Sequence, residues 1–330
     1  MSSTEPCVAA AGGPPAAPAE DAPARSARVD TVYRPRHPLD FWATVGVIRR
    51  GRGDPAHLHD RGVLWRASRT PHGIATLAAA PSGDGSINAS AWGPGAEWAI
   101  AQLPALLGAL DDPTPFEAHH HPLIAAAHRR NPGLRLTRTD LVFDALVASI
   151  IEQKVTGLQA FGAWRVLVTR YGTRAPGPAP RAVFAPPSVA EWGAIPSWAW
   201  HRAGVEPPQS RTIVQAARVG QRLAAATATA DCGPARDRVL TSVRGVGIWT
   251  SAETRIRALG DPDAVSFADF HLANQVGYAL TGSRVDDDGM RELLEPWAGQ
   301  RQRVIRLIGL SGVHEPRRGP RLHPEDHRDR

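Results

Sequence analysis

The chain has 330 residues, with 38 lysine and arginine residues against 32 aspartate and glutamate residues, and its formal net charge is +6. A basic chain of this length can bury a substantial core and favours a polyanionic partner. Its two cysteines, Cys7 and Cys232, exclude a four-thiolate iron-sulfur cluster and a cysteine-rich zinc site, and no apolar run is long enough to span a bilayer.

Residues 1–29 are rich in alanine, proline and glycine and lack periodicity, which predicts a disordered tail. Short apolar runs broken by turn residues follow, and they predict an antiparallel sheet. The predicted strands are 39–47, 63–68, 74–79 and 87–92. An apolar run at 97–110 predicts a helix that packs on this sheet and that Pro104 kinks.

From residue 114 onward helical patterns dominate, apart from a proline-rich loop at 173–190. We therefore predict an α+β chain whose N-terminal domain contains the sheet and whose larger domain is mostly α-helical. Its predicted parts are a disordered tail (1–29), an α+β domain (30–113), a helical domain (114–312) and a charged C-terminal tail (313–330). The lack of a secretory pattern and the low cysteine content favour a cytoplasmic protein.

The most informative segment is 240–274, where Gly245-Val246-Gly247 lies between two helical stretches and Asp269 precedes a third, at 270–280. Glycines allow a tight reversal and let another backbone approach closely. The free amides of Gly247 and Ile248 then begin a helix, and such an end binds phosphate. A GxG pair alone is usually a turn, and an aspartate before a helix is usually its N-cap. The order and separation of the two features therefore carry the interpretation.

This segment resembles the helix-hairpin-helix-Gly/Pro-Asp signature of base-excision DNA glycosylases. Residues 141–172, LVFDALVASIIEQKVTGLQAFGAWRVLVTRYG, resemble the paired helices of the same family, and the likeness covers about residues 114–312. It is closest to the alkylpurine (3-methyladenine) DNA glycosylase II branch. The resemblance implies a monomeric bacterial enzyme at the nucleoid that binds damaged double-stranded DNA. It would flip out alkylated purines such as 3-methyladenine and 7-methylguanine and hydrolyse their N-glycosidic bonds.

The same resemblance implies roles for individual residues. Asp269 would be catalytic, because an ionised carboxylate stabilises the positive charge that develops on the sugar and orients water. The DNA-binding residues would be Arg244 (where the family usually has proline), Gly245, Val246, Gly247, Ile248, Thr250, Gln153 and Lys154. Lys154 occupies the position from which relatives fill the gap left by the flipped base. The carbonyls of Thr241, Val243 and Val246 would hold a sodium or potassium ion, with no other cofactor implied.

Position 249 separates two types of enzyme. Relatives with lyase activity place a lysine two residues after the GVG, where its amine attacks the sugar. This chain has Trp249 there, and its sole lysine, Lys154, is distant in sequence, so the reaction is expected to use water. Trp249 would stack on a cationic purine in the base pocket. Glu253, one turn later, would either favour a cationic base or face solvent.

Two alternatives stay open at this point. One is an enzyme that removes oxidised purines of the 8-oxoguanine type, and the other is a non-catalytic helix-hairpin-helix DNA-binding protein. Asp269 argues against the second, because binding an anionic backbone needs no carboxylate. The run His119-His120-His121 does not predict a metal site, since adjacent side chains are expected to diverge, and Asp286-Asp287-Asp288 is expected to cap a helix beginning near Gly289.

Overall fold

A computed structural model describes residues 28–316, in which an antiparallel sheet is followed by helices. The predicted disordered tail at 1–29 lies outside the described residues up to residue 27, and the predicted charged tail at 313–330 does so from residue 317. Arg28 and Val29, which the sequence placed in the N-terminal tail, instead begin the first strand. They pair with Trp92 and Ala91 of the last strand of the sheet.

The sheet has five strands in the order β1-β5-β4-β3-β2, and each neighbouring pair is antiparallel. Its strands are β1 (Arg28–Tyr33), β2 (His57–Asp60), β3 (Val63–Thr70), β4 (Gly73–Pro81) and β5 (Ile87–Trp92). The predicted sheet is thereby confirmed. Strands β1 and β2 were not predicted, because half of RVDTVY and three of the four residues of HLHD are polar, and both strands pair at an edge of the sheet.

The predicted strand at 39–47 is wrong, because this segment forms a short helix, α1 (Phe41–Val45), and a 3₁₀ turn. Asp40 caps the helix by accepting a hydrogen bond from the amide of Ala43 at 2.9 Å. Periodicity cannot distinguish a short apolar strand from a buried helix, and here the cap decides. The predicted helix at 97–110 is shorter than expected, since α2 (Ala96–Leu106) ends two residues after Pro104.

Thirteen helices are present between residues 28 and 316. After α1 and α2 they are α3 (Pro122–Arg130), α4 (Val142–Ile151), α5 (Gly157–Tyr171), α6 (Val189–Ala194), α7 (Ser197–Arg202), α8 (Pro207–Thr229), α9 (Gly233–Thr241), α10 (Ile248–Leu259), α11 (Leu272–Thr281), α12 (Asp287–Leu294) and α13 (Arg301–Ser311). A two-stranded ribbon, β6 (Thr173–Arg174) with β7 (Phe184–Ala185), lies in the proline-rich segment. None of the helices described is both long and apolar enough to cross a membrane.

Three large apolar cores organise the described residues, and a smaller fourth cluster joins β2 and β3 to the segment around β6 and β7. The first lies between the sheet and α2, where Leu77 and Ile87 meet Leu103 and Leu106. The second joins helices α4 to α10 and includes three tryptophans, of which Trp192 is fully buried. The third joins α3 to helices α11, α12 and α13. Because α10 belongs to the second core and α11 to the third, the segment between them runs along the junction of the two helical cores.

Candidate active site

The Gly245-Val246-Gly247 segment forms the tight turn between α9 and α10. The side chains of Val243 and Val246 are buried in the core of helices α4 to α10 and hold the turn there. The amide of Val246 donates to the carbonyl of Val243 at 3.0 Å. Gly245 has φ +93°, a conformation that favours glycine. A Cβ there would lie 2.2 Å from Oγ1 of Thr212 on α8. The turn therefore exposes main chain at Gly245 and Gly247 while its valines point inward.

Gln153, from the helix pair at 141–172, lies against this turn. The amide nitrogen Nε2 of Gln153 donates to the carbonyl of Gly245 at 2.9 Å and to Oγ1 of Thr250 at 2.8 Å. Gln209 on α8 holds the same segment by donating to the carbonyls of Ile151 and Gln153. The Gln153 and Thr250 side chains thus contact protein, and Thr250 is only 2% exposed. They position the turn from inside.

Two charged side chains predicted to contact DNA do face solvent. Lys154 is exposed and has φ +55°, so the chain reverses sharply between α4 and α5. Arg244 is exposed at the tip of the turn. Ile248, the first residue of α10, is 55% exposed, and its amide is among those at the start of that helix. Arg244 and Ile248 flank the exposed Gly245 and Gly247, and Lys154 is adjacent to Gln153, which contacts the Gly245 carbonyl. Exposed amides and basic side chains of this kind suit a phosphate chain.

Asp269 lies just before α11, where its carboxylate is held by three donors. Its Oδ1 accepts the amides of His271 at 2.8 Å and Leu272 at 2.9 Å. Its Oδ2 accepts Nε1 of Trp249 at 3.1 Å. Asp269 thus holds two amides at the start of α11 and is also the candidate catalytic group. The contact with Trp249 joins α10 to the start of α11 across the junction of the two helical cores.

An open cleft of about 460 Å³ adjoins this carboxylate. Its lining includes Asp269, Phe270, Arg284, Asp286 and Asp287. Phe270 is 77% exposed, so a large apolar ring stands next to the carboxylate. With three aspartates and one arginine among these residues, the cleft favours a cation over an anion. A positive charge that develops beside Asp269 would be stabilised there.

Glu253 does not face solvent, which was one of the two alternatives considered from the sequence. Its side chain is only 14% exposed, pairs with Arg257 one turn later on α10, and accepts the hydroxyl of Ser266. Burial by itself would raise the pKa of the Glu253 carboxyl, but Arg257, Ser266 and Arg50 outweigh it and the pKa is lowered. The carboxylate is therefore ionised and already neutralised by its own partner, which leaves it little charge with which to attract a base.

Sequence reasoning missed a cavity of about 50 Å³ between the sheet and α4, whose wall contains several ionisable side chains. Its lining includes His57 of β2, Arg66 of β3 and Asp144 of α4, and the His57 Nε2 and Arg66 Nε atoms have no hydrogen-bond partner. The other ring nitrogen of His57 contacts Asp54 at 3.0 Å. These residues are far apart in the sequence and belong to no motif, so only the packing of the sheet on the helices brings them together.

The cavity predicts a pH-dependent stability. Burial raises the pKa of the Asp144 carboxyl to about 7, although Arg66 and Arg69 oppose the shift. In the unfolded chain the Asp144 carboxyl has a pKa of about 3.9. Between about pH 4 and pH 7 the folded protein therefore keeps a proton on Asp144 that the unfolded chain has lost. The free energy of unfolding therefore keeps the full contribution of this protonated carboxyl below about pH 4 and loses it as the pH rises through about 7.

Asp144→Asn should therefore stabilise the protein more at pH 8.5 than at pH 5, by about 2 kcal/mol in urea unfolding. An equal effect at both pH values would contradict the assignment.

One expectation about the histidines is wrong. The rings of His119 and His120 do not diverge, since their centroids are 4.7 Å apart in a 3₁₀ turn. Their Nε2 atoms lie 3.7 and 3.2 Å from Oε2 of Glu117. The turn thus offers three potential metal ligands, all exposed, whereas a structural zinc site uses four.

Solved structures with the same architecture decide the fold. A 3-methyladenine DNA glycosylase from Archaeoglobus fulgidus aligns over 85% of this chain and 98% of its own, with a TM-score of 0.73 and 17% identity. This chain has the fold of the DNA glycosylases. The fold is shared with the 8-oxoguanine glycosylase/lyase from Clostridium acetobutylicum, at 10% identity and a TM-score of 0.67 over 88% of this chain and 99% of that one.

A third structure with the glycosylase fold, MBOgg1 in complex with a low-affinity DNA ligand, aligns over 86% of this chain and 95% of its own. Its identity is 12% and its TM-score 0.68. No protein-family model and no curated protein matches the sequence. The glycosylase fold is thus established by structure, and it covers both the sheet and the helices.

Proposed function

We propose that this protein is a monofunctional DNA glycosylase that flips alkylated purines, 3-methyladenine and 7-methylguanine first, out of damaged double-stranded DNA and hydrolyses their N-glycosidic bonds in base-excision repair. The observation that carries the proposal is the contact between Trp249 and Asp269, 3.1 Å from indole nitrogen to carboxylate. It places an aromatic ring, where a lyase would have its lysine, against the carboxylate that the reaction needs.

The chemistry follows from the charges around the cleft. Cleavage of the glycosidic bond builds positive charge on the sugar, and a fixed carboxylate stabilises it without reorganising. Asp269 is held by two amides and one indole, so its position is set before DNA arrives. It would also orient the water that attacks the sugar. The product is then an abasic site in an intact strand.

The acidic cleft supports the choice of alkylated purines. A purine alkylated at N3 or N7 is cationic, so it gains from nearby carboxylates and leaves as a neutral base without being protonated. Two further aspartates, Asp286 and Asp287, line the cleft beside Asp269, whereas Glu253 is neutralised by Arg257. The indole of Trp249 adds a ring whose face attracts a cationic base. An oxidised purine is neutral and gains neither contribution.

DNA would be held through its backbone. The exposed amides of Gly245 and Gly247, the start of α10, Arg244 and Lys154 form one surface that suits phosphates. A sodium or potassium ion held by the carbonyls of Thr241, Val243 and Val246 would add positive charge there. Backbone oxygens are suitable donors for such a hard cation, and the Val243 carbonyl keeps one lone pair beyond its bond to Val246. We propose that the enzyme works as a monomer in the bacterial cytoplasm, at the nucleoid.

The second candidate is removal of an oxidised purine. It is favoured by the fold shared with the 8-oxoguanine glycosylase/lyase over 88% of this chain. A panel of duplexes, each with one 3-methyladenine, 7-methylguanine or 8-oxoguanine, separates the two candidates. We expect excision of the alkylated bases. Excision of 8-oxoguanine alone would support the second candidate, and tight binding without excision of any lesion would support a non-catalytic DNA-binding protein.

The same duplexes test the end point of the reaction. We expect an intact strand that breaks at the lesion only after alkali or heat, and no covalent adduct when borohydride is present during turnover, because water is the nucleophile. Lys154 is the single lysine of the chain, and it lies exposed between α4 and α5, far in sequence from Trp249 and Asp269. A robust adduct that Lys154→Ala abolishes would overturn the monofunctional proposal.

A further inference from the structure

Ala268, the residue before Asp269, has an unusual backbone. Its φ is +65°, in the left-handed region that residues with a Cβ avoid. Alanine has no side-chain group that could compensate for this conformation. Such strain persists only where the surrounding structure over-determines it, and it concentrates at functional sites. The question is therefore which contact keeps Ala268 in this conformation.

The contact comes from the acidic run at the start of α12. Asp286 caps that helix by accepting the amide of Gly289 at 2.9 Å, but Asp287 points elsewhere. Its Oδ2 accepts the amide of Ala268 at 2.7 Å. Asp287 is the first residue of α12, where the helix dipole stabilises a carboxylate. A charged acceptor on a rigid helix thus holds the strained peptide.

We propose that Asp287 is a positioning residue for catalysis, which sets the direction of the Asp269 carboxylate by holding Ala268 in the left-handed conformation. This inference rests on the proposed function. The backbone conformation of Ala268 determines the direction in which the Asp269 side chain leaves the backbone. In that direction one carboxylate oxygen accepts the amides of His271 and Leu272, and the other accepts the indole N–H of Trp249. If Ala268 relaxes to an ordinary conformation, the carboxylate cannot keep both sets of contacts.

Glycine offers a direct test, because it adopts positive φ without strain. We expect Asp287→Ala to lower the single-turnover rate of base excision by about tenfold, with little change in the dissociation constant for DNA. In Asp287→Ala combined with Ala268→Gly, the rate should return to within about threefold of that of Ala268→Gly alone. Asp287→Asn should keep most of the rate, because its amide oxygen can still accept the bond.

Asp288 provides a matched control for charge. It is the next residue on α12, is exposed, and its carboxylate makes no hydrogen bond within the described part of the chain. Asp288→Ala removes the same charge from the same helix end and should leave the rate unchanged. An equal loss in both variants would show that the charge of the cleft matters and would overturn the positioning role. A double variant as slow as Asp287→Ala would overturn it as well.

Amide hydrogen exchange adds a measurement that does not depend on activity. The Ala268 N–H is solvent-accessible apart from its bond to Asp287, so we expect protection in the wild type that Asp287→Ala removes. If the wild type excises no lesion, the proposed function fails, whatever the exchange data show. If the wild type is active and Asp287→Ala is equally fast, only the positioning role fails.

Discussion

Asp269→Asn is expected to lower the single-turnover rate of base excision by at least about a hundredfold, the scale of losing one positioned catalytic group. The substituted side chain keeps an oxygen for the amides of His271 and Leu272, so the cap of α11 survives. Its amide group then meets the N–H of Trp249, which no longer finds an acceptor there. Binding to lesion-bearing DNA should stay the same or become tighter, because a negative charge facing the phosphates is removed.

The comparison needs a control that removes an acid without touching the site. Asp288→Asn does so, since Asp288 is exposed and lies on α12, and its excision rate should equal that of the wild type. Thermal unfolding of both variants checks that the fold is intact. Single-turnover excision by Asp269→Asn close to the wild-type rate would remove Asp269 from the mechanism, and another group would have to stabilise the sugar cation.

Gly245→Ala should have the next largest effect, on DNA binding. Its φ of +93° strains any residue with a Cβ, and that Cβ would lie 2.2 Å from Thr212 Oγ1 on α8. We expect a loss of about 2 kcal/mol in the free energy of unfolding and at least a tenfold weaker affinity for DNA. The loss should be the same for damaged and undamaged duplexes, because the turn contacts phosphate and not base.

Gly247→Ala is the matched comparison within the same turn. Gly247 has an ordinary φ of −99°, and a Cβ there would meet nothing within 4 Å. The variant should be as stable as the wild type, so any loss of affinity reports only the approach of the DNA. Affinity measured by fluorescence anisotropy on both duplexes separates the two glycines. A loss confined to one lesion in either variant would instead place that glycine in the base pocket.

The sequence was a good guide to the fold wherever a pattern is local. Strands β3, β4 and β5 coincide with the predicted runs because their alternation and their turns are written in neighbouring residues. The helix at 41–45 was mistaken for a strand because a run of five residues, four of them apolar, fits either structure. The edge strand β1 could not be predicted, since its partner β5 lies more than fifty residues later. The edge strand β2 pairs with the adjacent β3, but its four residues, HLHD, are mostly polar and carry no strand pattern of their own.

The candidate site likewise contains residues that a local pattern identifies and residues whose partners lie far away in the sequence. The motifs located Asp269, Trp249 and the glycine turn, since each belongs to a spacing that can be read along the chain. The roles of Gln153 and Thr250 were less visible, because their side chains turn inward and meet each other. Glu253 could not be assigned from its helix face, because its partner Ser266 lies beyond the end of α10.

By itself, the sequence determined the α+β class, the glycine turn and the order in which the turn, Trp249 and Asp269 follow one another. These are consequences of local propensity and spacing, which need no knowledge of the distant chain. The tertiary structure alone decided that Trp249 donates to Asp269, that Asp287 holds Ala268, and that Asp144 shares a cavity with Arg66. Each of these contacts joins two separately folded elements, and the packing of the three apolar cores sets their distance.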